Sequence, residues 1–471
     1  MERARDLLRS GAWLTRERVR LVAFAVVVAS AAGFIFLIVT AHGLVDFQGR
    51  PIGTDFSNVY AAGTYVRDGN PNAPFDLARQ HAREQQIFGE ATPLYGWHYP
   101  PFFLFVAAAL ALMPYGLALA VWQAFTLGLY LLSIRGILRL DLVSPSPRLR
   151  GAVAHPHAPN RGEAPSPGMR VNAHSGVPGH AGRGDYLWLL LAVAFPAVFI
   201  NIGHGQNGFL TAALIGGAVV ILDRRPLIAG VLFGLLAYKP QFGLMIPLVL
   251  AAIGRWRCFA AAAATVALLA LAATAAFGPQ IWHAFFESTR FTRVVALEQG
   301  NTGWYKIQSV FSWARMWGGS IPLAYALQGA LAVVLAGSVV AVWRSAAPYA
   351  LKAAALCLAA ILATPYTFDY DMMVLAPAIA FIAADGFARG FGPWEKTALA
   401  VLWLAPLVAR NVAQVTLVPF GVLAMLAMFI LLLRRTTRHS ISSLAFSDTA
   451  TKIAGDASDT AHGHDIAAFK S

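Results

Sequence analysis

An unbroken apolar run from Leu21 to Ala41, preceded by Arg3, Arg5, Arg9, Arg16, Arg18 and Arg20, constrains this chain more than any other feature. Coiled as a helix, about 20 apolar residues match the hydrocarbon core of a bilayer. The arginines ahead of it hold residues 1–20 in the cytoplasm by the positive-inside tendency, so the helix runs outward. A cleaved signal peptide is the competing reading, but its apolar core is shorter than this run. The feature recurs along the chain: 58% of the 471 residues are hydrophobic and only 13% are charged. That balance belongs to an all-α polytopic membrane protein and excludes an ordinary soluble globule. The net charge of +13 comes from arginines placed mostly at the ends of apolar runs, as in cytoplasmic membrane loops, and not from a nucleic-acid-binding patch. Cys258 and Cys357 both lie in apolar segments, so a disulfide framework has no support and both act as small hydrophobes.

In chain order, residues 42–98 form a first long outer loop. Within it, Leu77 to Phe88 reads as a helix lying in the interface. Phe75, Leu77, Ile87 and Phe88 are expected in lipid, and Arg79, His81, Arg83 and Glu84 in water. The apolar tract after Trp97-His98-Tyr99-Pro100-Pro101-Phe102 is broken at Met113-Pro114-Tyr115-Gly116 and reads as one net inward crossing with a broken outer half. Residues 141–185, rich in Pro, Gly, His and Arg, are expected to be a disordered cytoplasmic linker. Its His155, His157, His174 and His180 lack the spacing of a zinc site. Two apolar arms, Pro226–Tyr238 and Phe242–Ile253, are each too short to span fully and carry Lys239 at their joint. A lysine at that depth needs an anion, a carboxylate or a wet cavity, unless it snorkels to the interface. A second outer loop covers 278–320, and 436–471 reads as a disordered cytoplasmic tail. The membrane domain is thus 21–435, with about twelve crossings and both termini cytoplasmic.

With that topology, every polar motif interrupting an apolar run falls outside. Asp55, in Gly53-Thr54-Asp55-Phe56-Ser57-Asn58-Val59-Tyr60, then shares a side with His204, Gln206, Lys239, Lys306 and Tyr366. A carboxylate beside cations and aromatics at a membrane edge suits a reaction on a lipid-linked anion. Cations would hold a departing phosphate while the carboxylate takes a proton from an attacking hydroxyl. Charge and sidedness assign Arg290, Arg293 and Lys306 to that phosphate. No Walker loop or Rossmann glycine motif indicates a diffusing nucleotide, and no acidic cluster demands a metal. Each residue also has a plainer role. Asp55 could cap a helix, Asp369 and Asp371 could cap the next one, Trp97 and Tyr99 could be interfacial belt residues, and His204 could make a structural hydrogen bond.

Asp55-Phe56, Tyr99-Pro100-Pro101-Phe102, Gly205-Gln206-Asn207, Lys239-Pro240-Gln241, Gly303-Trp304-Tyr305-Lys306-Ile307-Gln308-Ser309 and Thr364-Pro365-Tyr366 together resemble glycosyltransferase family 87. The resemblance runs from about Ala23 to Arg435. It implies a GT-C-like fold in the cell inner membrane and a site on the extracytoplasmic side. The implied reaction moves a hexose, typically mannose, from a polyprenyl phosphate to a lipid or glycan hydroxyl, with inversion and no cofactor. Carried over, Asp55 would be the general base, Lys239 would lie near the donor phosphate, and His204, Gln206 and Asn207 would line the site. Asn58, Tyr60, Tyr99, Gln241, Asn301, Trp304 and Tyr366, in or beside these motifs, complete the expected lining. Gly69-Asn70-Pro71-Asn72-Ala73-Pro74-Phe75 lacks the tyrosine the family places after the first proline, which bears on acceptor or sugar identity. The alternatives are a transporter or flippase, which would place ionisable groups near the midplane and pair broken helices, and a non-catalytic assembly protein.

Overall fold

The computed structural model describes residues 2–140 and 186–438. The linker at 141–185 and nearly all of the 436–471 tail therefore lie outside the described residues. The chain runs through α1 (Glu2–Ser10), α2 (Arg16–Val39), α3 (Phe56–Arg67), α4 (Leu77–Phe88), α5 (Leu104–Leu110) and α6 (Tyr115–Leu138). After the linker come α7 (Leu187–Val193), α8 (Pro196–His204), α9 (Gly208–Ile221), α10 (Pro226–Leu235), α11 (Met245–Ala252) and α12 (Trp256–Phe277). The last part comprises α13 (Gln280–Thr292), α14 (Val310–Met316), α15 (Ile321–Arg344), α16 (Tyr349–Leu362), α17 (Leu375–Arg389) and α18 (Glu395–Thr416), then α19 (Phe420–Arg438). Among the described residues, β-pairing is confined to isolated bridges such as Ile307 with Phe368.

Seven of the described helices are long and apolar enough to cross a membrane: α2, α6, α12, α15, the stretch Asp369–Arg389 that contains α17, α18 and α19. The pair α7 and α8 makes an eighth if counted as one span, bent by 44°. The bend has a local cause, because Pro196 at the first turn of α8 has no N–H to continue the ladder. Helix α2 begins where Thr15 accepts the Arg18 amide, and of its 24 residues only Ala23 is buried. The remaining apolar surface of α2 needs lipid. In contrast, α16 is alanine-rich and buried on almost every side, against α9, α11, α15 and α17. Helices α10 and α12 approach most closely at Gly230 and Gly234. A Cβ on Gly230 would lie 2.4 Å from the Cys258 carbonyl oxygen, so this small-residue pair lets the backbones touch.

Residues 42–98 differ from their sequence reading. Helix α4 forms over the expected residues, but it packs on protein and does not lie in lipid. Phe75 meets Phe285, Phe88 packs edge-on against Tyr115, and Glu84 is fully buried although it was expected in water. The reason lies in α3, which packs on α4 and is itself braced by α5, and in Tyr115 at the start of α6, which together give α4 a floor. Gly63 of α3 is pressed so tightly on Ala107 that no Cβ fits. Helix α5 is accordingly a short brace for α3, whereas α6 is a single 24-residue helix beginning at Tyr115.

The bundle has two chemically different ends. At one, Trp13 Nε1 donates to Thr397 (2.9 Å) and the Arg344 Nε–H donates to the Ala252 carbonyl (3.0 Å). At that end Arg435 is buried between Asp385, at 2.6 Å, and Glu395, and donates to the Gly390 carbonyl at 2.9 Å. This cluster ties the ends of α17, α18 and α19 together. Removing only the cation leaves buried Glu395 without its cation and Asp385 with Arg389 alone, and breaking a buried pair in this way typically costs about 3–5 kcal/mol. Arg435→Ala is therefore expected to lower the thermal unfolding temperature in detergent markedly, and an unchanged transition would show that the network contributes little.

Candidate functional site

Asp55 lies at the opposite end, in the N-cap position of α3, but its carboxylate makes no capping bond. Instead Oδ2 accepts a hydrogen bond from Gln206 Nε2 at 2.7 Å. The loop carrying Gln206 is docked on Asp55 by the backbone as well, since the Asp55 amide donates to the His204 carbonyl at 3.0 Å. Between them, Gly205 closes α8 in the left-handed region (φ 62°), and a Cβ there would sit 2.5 Å from that of Phe56. Only glycine meets both demands.

Gln206 is itself held from several sides. Its carbonyl oxygen accepts from Gln123 Nε2 (3.1 Å) and Asn201 Nδ2 (3.0 Å). Its Oε1 accepts from the Tyr99 hydroxyl (3.3 Å), which in turn accepts from Asn207 Nδ2 (2.8 Å). Asn201 Oδ1 accepts the Gly208 amide, which starts α9 beside the same loop. The network fixes the carboxylate of Asp55 by one oxygen and leaves the other available. Oδ1 lies 3.9 Å from His204 Nδ1, but that nitrogen is already 2.8 Å from the Thr54 hydroxyl. With its side chain 19% exposed, Asp55 can meet a ligand.

Lys239 is buried beside this cluster, and its ammonium donates to Asp371 Oδ1 at 2.6 Å. The partner required of a lysine at this depth is thus a carboxylate within the chain. Asp371 also accepts the Phe368 amide through Oδ2 (3.0 Å), so the capping role read from the sequence and the ion pair coexist. Tyr370 joins the two groups, with its ring centre 5.1 Å from the Lys239 ammonium and 5.9 Å from the His204 ring.

The other candidates are less centrally placed. Tyr99 and Trp97 are buried inside the protein and are not belt residues. Tyr60 donates to the Met113 carbonyl (2.9 Å) and serves packing. Asn58 is buried one turn along α3, and its Oδ1 has no donor. Gln241 is half-buried in the turn after Lys239. Trp304 is braced by its bond to the Leu297 carbonyl (2.9 Å) and by Arg315 over its ring. Asn301 and Arg290 are exposed, and Arg293 pairs with Glu298 at 3.4 Å. Among the described residues no contact links Arg290, Arg293 or Asn301 to the Asp55 network. The Lys306 ammonium is 5.8 Å from the Tyr305 ring centre. Tyr366 lies in electrostatic reach, its phenol pushed up first by burial and then by the charges of Asp371 and Asp55.

Several participants escaped the sequence reading. Arg410, deep in α18, sits 6.0 Å from the Tyr305 ring and 3.4 Å from Asp369 Oδ2. Its signal was present as an ionisable residue within an apolar run. Gln123, a polar residue inside α6, carried the same kind of signal. Glu84 carried none, because its burial comes from tertiary packing. Its carboxyl is raised to about 7, chiefly by desolvation, against hydrogen bonds from Tyr95, Gln80 and Gly96.

Together these features define a polytopic membrane protein with a polar, half-open site at one end of its helical bundle. Comparison with known families matches residues 97–365, more than half of the chain, to glycosyltransferase family 87. The chain belongs to that family and is a membrane glycosyltransferase. No curated protein and no solved structure matches it. The family match lends no support to the transporter alternative. Asp55 lies ahead of the matched residues, but its partner Gln206 lies within them.

Glu84 yields a stability prediction. Between its unfolded value of 4.5 and about 7, the native protein holds a proton that the unfolded chain has released. Stability must therefore fall as pH rises through this window and stay low above it, by up to about 3 kcal/mol. Glu84→Gln should remove that dependence, so its unfolding temperature should gain on wild type from pH 5 to pH 8. A constant difference would contradict this assignment.

Proposed function

We propose that this protein transfers a hexose, mannose in the first instance, from a polyprenyl phosphate to a lipid or glycan hydroxyl, with inversion. The observation that carries the reading is the partly exposed Asp55 carboxylate, held by Gln206 through Oδ2 with Oδ1 open. In the step envisaged, the acceptor oxygen attacks the anomeric carbon, the bond from that carbon to the phosphate oxygen breaks, and its electron pair leaves with the phosphate. The acceptor proton passes to Asp55 Oδ1. Inversion follows because attack and departure take place on opposite faces of the sugar.

For the phosphate, Lys306 and Arg410 are the best-placed cations, flanking Tyr305 beside a cavity of about 250 Å³ lined by Trp304, Met316, Ala413 and Leu417. That apolar hollow suits the first isoprene units. Lys239, engaged by Asp371, would act on the phosphate from behind as a fixed charge, and Arg290 and Arg293 would guide anionic donor along the rim. His204, Asn207 and Tyr366 would line the sugar.

About twelve passes result if the short helices α9, α10, α11 and α16, but not the brace Pro101–Leu110, are counted with the long ones and with α7–α8. The arginine-rich end, which includes Arg255, Arg344 and Arg435, then faces the cytoplasm with both termini, and the site faces outward across the inner membrane.

Label transfer from polyprenyl-phosphate-mannose into membrane lipids tests the assignment. Asp55→Asn keeps the shape and the Gln206 contact, and is expected to lose at least ~100-fold in rate, the scale of general-base catalysis. Lys306→Ala is expected to raise KM for the donor more than it lowers kcat. Full activity of the Asp55 variant would exclude it as the base.

A further inference from the structure

Glu84 is a fully buried carboxyl with no cation within salt-bridge distance among the described residues. Its neighbouring arginines are engaged elsewhere: Arg83 pairs with Asp68 at 2.8 Å and lies over the Tyr65 ring, and Arg79 lies over the same ring. Oε2 accepts the Tyr95 amide at 3.3 Å, and Oε1 accepts from Gln80 Nε2 at 3.4 Å. Gln80 Nε2 also donates to the Asn58 carbonyl (2.9 Å), one turn along α3 from Asp55. Glu84 therefore joins α4, the start of α3 and the segment leading into Trp97-His98-Tyr99. Tyr99 donates to Gln206, which holds Asp55.

The pocket around Glu84 has a surplus of acceptors. Gln80 Oε1 and Asn58 Oδ1 are both buried without a donor. A neutral Glu84 brings a donor into these acceptor-rich surroundings, whereas a charge there has no counter-ion within salt-bridge distance among the described residues and is repelled by Asp55. Asp55 on α3 and Tyr95 in the following segment interact electrostatically with Glu84, and neither is cationic at neutral pH, while His81 on the same helix is held by the Thr92 carbonyl. Asp46 and Arg50 of the preceding loop act on Tyr95.

We propose that Glu84 is a positioning residue that works as a neutral acid, clamping α4 to the Tyr95–Tyr99 segment and so holding Tyr99, Gln206 and Asp55 in register. The proposal rests on the reading of Asp55 as the base. Once ionised, a buried carboxylate without a cation must draw in water or swing outward against the hold of the Tyr95, Gln80 and Gly96 donors, and where it moves the clamp loosens. The clamp then limits activity on the alkaline side, in the range to which burial shifts this carboxyl.

The test uses the full chain in proteoliposomes, with polyprenyl-phosphate-mannose as donor probe, from about pH 5.5 to about 8.5. Infrared difference spectra recorded in parallel follow the carbonyl stretch of protonated carboxylic acids. In wild type this band should titrate away near neutrality. It should be absent from Glu84→Gln and present in Asp55→Asn. Transfer by wild type should fall at least about tenfold at the alkaline end as the clamp ionises, and Glu84→Gln should remove that fall. Glu84→Ala should be slow throughout, so that restoration of rate by glutamine separates hydrogen bonding from mere folding. An unchanged alkaline limb in Glu84→Gln, or a titrating band that survives this substitution, overturns the proposal. Full transfer by Asp55→Asn would instead sink the general-base reading, and the band and the Glu84→Gln profile would then decide the clamp separately.

Discussion

A bilayer offers no hydrogen-bond partners, so the backbone N–H and C=O groups of a chain inside it must satisfy one another within helices. That demand shapes this molecule throughout. It makes the apolar segments helical, drives polar side chains to the two ends of the bundle, and forces the few ionisable groups at depth to pair. Lys239 with Asp371 and Arg435 with Asp385 and Glu395 show the same requirement met at opposite ends. The first pair adjoins a half-open polar site, whereas the second is closed and holds helix ends together.

The site depends on breaks in this regular architecture. Helix α8 stops at a glycine in the left-handed region, and the loop after it turns Gln206 back on Asp55. Asn201 and Asn207 of the same turn, with Gln123 and Tyr99 from two other segments, then fix Gln206, so the position of the carboxylate is set by three separate segments of the chain. Such a network costs nothing to reorganise during reaction, which is the usual advantage of a preorganised polar site. It also links the site to α4 through the segment ending at Tyr99.

Much of this was legible in the sequence because it follows from hydropathy and from polar interruptions. The long runs became helices at the expected places, and the motifs holding Asp55, His204, Gln206, Lys239 and Tyr366 converge on one end. Tertiary packing was not legible. Glu84 and Phe88 share an amphipathic helix whose pattern suits an interface, and only the floor made by α3 and Tyr115 turns both inward. The pairing of Lys239 with Asp371 spans 132 positions, beyond the reach of any local pattern. Arg410 was visible as a charge deep in the apolar part of α18, but its place beside Tyr305 depends on how residues 278–320 fold back.

The most direct measurement is a structure of the protein with a non-hydrolysable polyprenyl phosphonate sugar bound. The account predicts the phosphonate against Lys306 and Arg410 and the isoprene tail in the hollow beside Tyr305. It further predicts an anomeric carbon whose open face lets an acceptor hydroxyl lie about 3 Å from Asp55 Oδ1. A sugar bound at the Arg435 end, or one turned so that Asp55 cannot reach an attacking hydroxyl, would contradict it.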